Sequence, residues 1–499
     1  MEKEKPRETL LSKFGMFVAY HGATGGMGTL LIPAFMAVVW GGAAFYLWFI
    51  IGTLSVVVSI FLIDSCFGAY TRRAPPMAWH IITNGNKFLT FWIWFSVMAL
   101  FIYMPTAAAL YGIWGAYLIA TPLRFWGPDP STFFWKTYLP SFFPLICALI
   151  LCFIWWLLSY KSVNAWARIA IWSKPAGMIL ALVFIIVTIM YNPQFWQGWA
   201  YTFDLKLEKI LSPMVFAQAM LWVYWRSGAG SAVPTVFASY LPKGGDLNTS
   251  CIMERLSDII FMVLAALFIV PLTMGAGYPP VFGGSLGLAF SALPKVWEGL
   301  GAAGIILGML FYALFIPAAF PMTLAYFELS AATFADKFGI PRTKSVTITA
   351  VAIAVLSIIF TLPIYDPVNW GSYGFTMIFT AWYWEILICG LACIAEFIVL
   401  FKYFKLDRFI SFINENSVIK LPPKLLKFLC CLGFTLVIVS MAYLLVATSG
   451  LVPGISAGAA GTILADGTGY YGLTPIGYAM IFVGLGLPLI LALIFNTID

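Results

Sequence analysis

Twelve apolar runs, each long enough to cross a bilayer as a helix, govern what this chain can fold into. They begin near Phe14, Phe45, Phe91, Phe143, Ile169, Met214, Ile259, Ala302, Val346, Phe375, Leu425 and Tyr471. A crossing helix needs about 20 apolar residues, because hydrocarbon offers no partners and the helix must satisfy its own backbone N–H and C=O groups. Charged side chains are only 9% of the 499 residues, whereas an ordinary soluble domain carries about 25%. The fold class expected is therefore all-α, a polytopic membrane protein with the lipid bilayer as its standing partner.

The basic residues give the orientation. With the N-terminus inside, twenty Lys and Arg fall in inner segments, and five (Arg124, Lys136, Lys206, Lys209 and Lys295) fall in outer loops. That asymmetry predicts both termini in the cytoplasm of a cell (plasma) membrane protein. It also accounts for the net charge of +7 without a nucleic-acid partner. The opening stretch MEKEKPRETLLSK is too acidic for a signal's charged region, so no cleaved leader is predicted. Eight cysteines lie mostly inside apolar runs, with only His21 and His80 as histidines. The spacing fits neither a disulfide framework nor a zinc site.

Two runs are interrupted. The first contains GATGGMG, Gly22 to Gly28, followed by Pro33, and the sixth contains RSGAGSAVP, Arg226 to Pro234. Both breaks fall near mid-membrane, where unwound backbone survives only if protein shields it or it lines a cavity. Paired interruptions five helices apart are the pattern of transporters built from inverted repeats, which bind cargo at the broken helices. Small residues also allow close helix packing, and that is the alternative reading of either segment alone.

At these residues the chain resembles the neurotransmitter:sodium symporter family over nearly its whole length. The stretches that carry the likeness are KFGMFVAYHGATGGMG, GGAAFYLWFIIG ending in IDSCFG, FAQAM, FASYLPKGGDL with the run through Asp258, GLAFSALP, and EFIVLFKYFKLDRF followed by VIKLPP. The resemblance implies five-plus-five inverted repeats with broken helices 1 and 6, and two trailing helices, working by alternating access on a small amino acid or amine. The organisation expected is a cytoplasmic N-terminus (1–13), a first repeat (14–191), an outer loop (192–213), a second repeat (214–400), an inner loop (401–424) and two final helices (425–499).

Residue by residue, the resemblance implies that backbone groups of Gly26, Met27 and Gly28 hold a substrate carboxylate, in keeping with the partial positive charge of a half-helix N-terminus. It places Thr24 near the substrate as well. Gly22, Gly25 and Ala318 are implied for one sodium site, and Thr24, Thr29 and Asp258 for another. Tyr103 and Tyr111 compete for a tyrosine that holds substrate, Tyr111 being preferred. Asp64 matches an acidic residue near the inner end of helix two that receives amides from a broken helix.

The departures matter equally. Thr29 stands where the family has asparagine, and the arginine that closes the family's outer gate is missing. Two hydroxyl residues expected to ligate sodium align with Pro321 and Met322, leaving Thr323 as the hydroxyl nearby. A hard cation prefers oxygen, and a thioether is a poor substitute. Lys174, next to Pro175, is therefore a candidate to fill a sodium position, its alternative being an inner-edge lysine that snorkels. Arg226 lies about 18 Å into the sixth span. It is expected to pair with Asp258, Asp64 or Glu385, or to hold a substrate carboxylate bidentately. His21 suits proton exchange or a structural hydrogen bond. Glu328 and Glu396 read as partners of polar backbone.

These residues predict a secondary active transporter with sodium as the co-transported ion and no other cofactor. The alternatives are a sodium-independent transporter of the same fold, proton-coupled or exchanging, and a non-transporting sensor. No nucleophile with a base, no nucleotide loop and no metal cluster supports an enzyme. Cargo identity and oligomeric state are not encoded legibly.

Overall fold

The computed structural model describes residues 17, 37, 40–192, 195–275, 287–361, 363–366, 371–415, 417–449, 479 and 482–498. The first long helix, α1 (Ala43–Thr71), follows a turn at Gly41 and Gly42 and contains a π-helical turn at Thr53–Val57. Helix α2 (Lys87–Ala120) starts at Asn86, whose side chain accepts from the Leu89 N–H at 3.2 Å. Such a cap takes up one of the amides a helix start leaves unpaired. Next come α3 (Phe143–Lys161) and α4 (Val163–Tyr191), the latter capped by Ser162.

The sixth apolar run forms two helices, α5 (Pro213–Ser227) and α6 (Val233–Ser239), end to end across a non-helical link. Then follow α7 (Leu247–Gly275), α8 (Gly301–Phe338) and α9 (Arg342–Phe360). A hairpin of two-residue strands, Tyr365–Asp366 with Gly371–Ser372, leads into α10 (Tyr373–Val399). The short α11 (Leu406–Glu415) precedes α12 (Pro423–Ser449) and α13 (Leu487–Thr497).

Among the described residues, seven helices are apolar over a full crossing length, and four more carry shorter apolar stretches. With the run from Phe14, of which Phe17, Ala37 and Trp40 are described, these give the twelve spans of an all-α polytopic membrane protein. The apolar window of α2 is wholly buried, while those of α3 and α12 are only 33% buried. So α2 is the central post, and α3 and α12 turn residues such as Phe153, Leu157, Phe428 and Val439 outward, as lipid-facing helices do. One boundary differs from the sequence expectation. Helix α7 begins at Leu247, about three turns before Ile259, because Asp246 accepts from the Thr249 N–H at 2.9 Å and starts it there. The charged stretch before Ile259 is carried inside the helix, with Arg255 paired to Glu254 (3.5 Å) and Asp258 (3.8 Å).

Candidate functional site at the helix break

The link between α5 and α6 is built from small residues because its backbone demands them. Gly228, Gly230 and Ala232 all have positive φ (65°, 75° and 55°), a region glycine enters freely and alanine only at a cost. Gly230 is constrained twice over. A Cβ there would come within 2.9 Å of the Cys389 carbonyl carbon and the Cys393 sulfur, so α10 lies directly on the break. From the other side, the Ser96 hydroxyl of α2 donates to the Gly230 carbonyl at 2.5 Å and lies 3.5 Å from the Cys389 sulfur. The Ser231 hydroxyl bonds to the carbonyl of Gly228. Carbonyls freed by unwinding are thus partly taken up by hydroxyls, as backbone buried in a membrane requires.

Helix α6 is gripped by α1. The Thr235 hydroxyl donates to Asp64 Oδ1 at 2.7 Å. One turn further along α1, Gly68 lets the Thr235 backbone approach, since a Cβ there would lie 2.8 Å from its carbonyl carbon. The Asp64 carboxyl also neighbours Glu396 of α10, and among the described residues Asp64 Oδ2 and both Glu396 carboxylate oxygens have no hydrogen-bond partner. At the inner end, Tyr240 donates to Glu328 Oε1 at 2.7 Å, and Arg342 closes on both oxygens of Glu328, one of them at 2.7 Å. Arg342 reaches the Ser159 carbonyl as well, at 3.0 Å, and Arg72 donates to the carbonyl of Leu241. Glu328 therefore has an arginine and a tyrosine as partners, in place of the polar backbone the sequence suggested.

Further along α2, α8 and α10 lie Tyr103 and Tyr111, Met322 and Tyr326, and Glu385. The Tyr111 hydroxyl lies 3.9 Å from the Met322 sulfur. Tyr103 and Tyr326 share the electrostatic surroundings of Glu385. Thr323 is turned elsewhere: its hydroxyl donates to the Phe320 carbonyl (2.8 Å) and accepts from the Trp155 indole of α3 (2.9 Å). Asp258 faces Arg255, whose guanidinium is buried and stacked 4.4 Å over the Phe61 ring. Lys174, Arg226 and Ala318 lie in α4, α5 and α8 and are placed by their backbones. Gly22, Thr24, Gly25, Gly26, Met27, Gly28 and Thr29 lie outside the described residues, as does His21.

The structure thus brings Asp64 against the second half of the broken sixth span, while Tyr111 lies about 22 Å along α2 from Ser96, against Met322. Ser96, Thr235 and Cys389, which hold that break, went unnoticed in the sequence. The spacing of Asp64 and Gly68, one helical turn apart, was the only hint of the grip on α6.

Comparison with known proteins gives a consistent result. A family model described as the sodium:neurotransmitter symporter family matches residues 140–452. An uncharacterized sodium-dependent transporter of Methanocaldococcus jannaschii is 24% identical over 440 residues, covering 83% of this chain and 86% of that protein. A second, from Bacillus subtilis, is 25% identical over 356 residues, covering 67% of this chain and 73% of its own length. Among solved structures, the crystal structure of MhsT in complex with L-phenylalanine superposes with a TM-score of 0.74 at 19% identity, covering 87% of this chain and all of that one.

Proposed function

Because the chain belongs to the sodium:neurotransmitter symporter family, we propose that it is a secondary active transporter that moves a small amino acid or amine across the plasma membrane by alternating access, coupled to sodium. The observation that carries this reading is the break at Gly228 to Ala232, clasped by Ser96 and Cys389 in the middle of the helical bundle. Helix α5 ends there, and α6 begins there with its first amides engaged, Val233 N–H on the Ser231 hydroxyl (3.4 Å) and Thr235 N–H on the Ala232 carbonyl (3.1 Å). The C-terminal end of α5 presents partial negative charge there, which suits the cationic group of a small amino acid or amine. The glycines Gly22, Gly25, Gly26 and Gly28 with Met27, Thr24 and Thr29 would supply the matching backbone of the first span. Tyr111 and Arg226 would flank the cargo, Arg226 taking its carboxylate. Ala318, Thr323 and Asp258 would complete the sodium ligands, and both termini would be cytoplasmic.

Alternating access requires the inner ends to part. The groups that must separate are Tyr240 and Arg342 around Glu328, and Arg72 on Leu241. The protein acts by moving and binding its solute, without covalent chemistry. The direct experiment is uptake of radiolabelled amino acids and amines into proteoliposomes, with sodium inside or outside replaced by choline or potassium. Uptake driven by an inward sodium gradient is expected, and uptake indifferent to the replacement refutes the coupling. A sodium-independent mechanism is the second reading. It is favoured by Met322 at an expected ligand position, and by a Thr323 hydroxyl already engaged with Trp155. In that case Asp64 and Lys174 would gate or couple the cycle, and alanine at Lys174 would change the pH dependence of uptake.

A further inference from the structure

Glu385, like Glu396, is a buried carboxylate with no ion pair among the described residues, but Glu396 neighbours Asp64 whereas Glu385 neighbours tyrosines. It is 2% exposed, its Oε2 has no hydrogen-bond partner, and its Oε1 receives only the weak thiol donor of Cys389 at 3.5 Å. Among the described residues it forms no ion pair, whereas Glu328 is bound by Arg342, and Glu254 and Asp258 share Arg255. A buried carboxylate without compensation is costly, and in a membrane protein it marks a functional position.

Its level in the bundle is fixed by the clasp on the break. Cys389 lies against Gly230 and beside Ser96, and Glu385 precedes Cys389 by one helical turn, about 6 Å along α10. Tyr103 is seven residues past Ser96 on α2, which runs the opposite way, about 10 Å along it. Glu385 therefore sits one helical turn from the break, displaced along the bundle in the same direction as Tyr103. Among the described residues Tyr103 and Tyr326 are titratable groups near it, with Tyr111 beside both tyrosines and Cys389 on its own helix. A carboxylate among tyrosine rings is a setting suited to an organic cation, since the ring faces attract positive charge and the carboxylate compensates it.

In the transport reading, the C-terminal end of α5 and Arg226 already match the two charges of an amino-acid main chain. Glu385 adds a negative charge that this zwitterion leaves unpaired. We propose that Glu385 and the tyrosines beside it form a subsite for a cationic side chain, so that the cargo belongs to the basic amino acids. This rests on the transport reading above and names its substrate class.

The test is equilibrium binding of L-lysine against L-norleucine, and of L-arginine against L-citrulline, to the full-length purified protein in sodium-containing buffer. Each pair has a similar shape and differs in side-chain charge. The wild type is expected to bind each cationic member at least tenfold more tightly. In Glu385→Gln that ratio should fall by at least tenfold while L-norleucine still binds, which also shows that the variant is folded. Should the Gln variant fail to fold, Glu385→Asp serves instead, and it should keep a preference for charge that is reduced by the shorter reach. A wild type that prefers L-norleucine, or a Gln variant that keeps the full preference for L-lysine, overturns the proposal. Binding of neutral amino acids alone overturns the subsite and leaves the transport reading intact. Binding of no amino acid at all overturns both.

Discussion

Replacing Gly68 with alanine tests how the inner half of the broken helix is held. The added Cβ would lie 2.8 Å from the carbonyl carbon of Thr235 and 2.9 Å from its Cα, closer than real Cβ atoms come to any neighbour. Restoring ordinary contact at 3.4 Å means moving α6 away from α1 by at least about 0.6 Å at the carbonyl carbon, and by more at the carbonyl oxygen, which lies closer still. A clash with backbone cannot be relieved by rotating a side chain, so the helix itself must shift. That shift also stretches the 2.7 Å hydrogen bond from Thr235 to Asp64. Overpacking of this kind costs about 1–3 kcal/mol, and weakening a buried hydrogen bond adds about 1 kcal/mol. The expected result is a clearly lowered midpoint in thermal unfolding of the detergent-solubilised protein, with uptake impaired beyond the loss of folded material. A second substitution separates this account from a side-chain clash. Thr235→Ala in the Gly68→Ala background should give no rescue, because the obstructing atoms are main chain. A Gly68→Ala protein with wild-type melting and uptake, or one restored by Thr235→Ala, would refute the reasoning.

Three other outcomes are expected. Arg342→Met leaves the buried Glu328 charge uncompensated and should cost about 3–5 kcal/mol in denaturant unfolding, most of it recovered when Glu328→Met is added. Gly230→Ala must adopt a φ of 75° and press on Cys389, so about 1–2 kcal/mol of backbone strain precedes any clash, and ligand binding measured by thermal shift should be lost. Asp246 links two inner loops. Burial pushes its carboxyl up, but hydrogen bonds from the Val418 and Thr249 backbones outweigh this and hold it below its ordinary 3.8. Its stabilising contribution is therefore complete above about pH 4 and is lost as pH falls through the lowered value. Hydrogen exchange at the Val418 amide should stay protected at pH 5 and open at pH 2.5, and equal protection at both would contradict the assignment.

Much of the fold could be read from the sequence because lipid imposes one local rule, a long apolar helix, at each crossing. The break at Gly228 to Ala232 was legible for the same reason, since positive φ selects glycine and small residues within a short stretch. The partners that hold the break were not. Thr235 finds Asp64 across 171 positions, and Ser96 finds Gly230 across 134. Isolated serines and threonines in apolar runs look alike until packing decides which one meets a freed carbonyl. Glu328 was misread on similar grounds, because its arginine stands at the start of the next helix, where sequence suggests only an inner-edge charge. The placement of Asp258 beside Arg255 was also hidden, though both belong to one helix, because either could have turned to another neighbour.

The grip of Asp64 and Gly68 on Thr235 has a consequence for how such a machine can change. Helix α6 and the inner part of α1 are locked through main chain, so they swing together as a single lever, with Gly228 and Gly230 as its joint. A lever fastened that way tolerates little recutting. Positions on α2, α8 and α10 away from Ser96 and Cys389, such as Tyr103 and Tyr326, carry no such duty, and changes there need not disturb the grip.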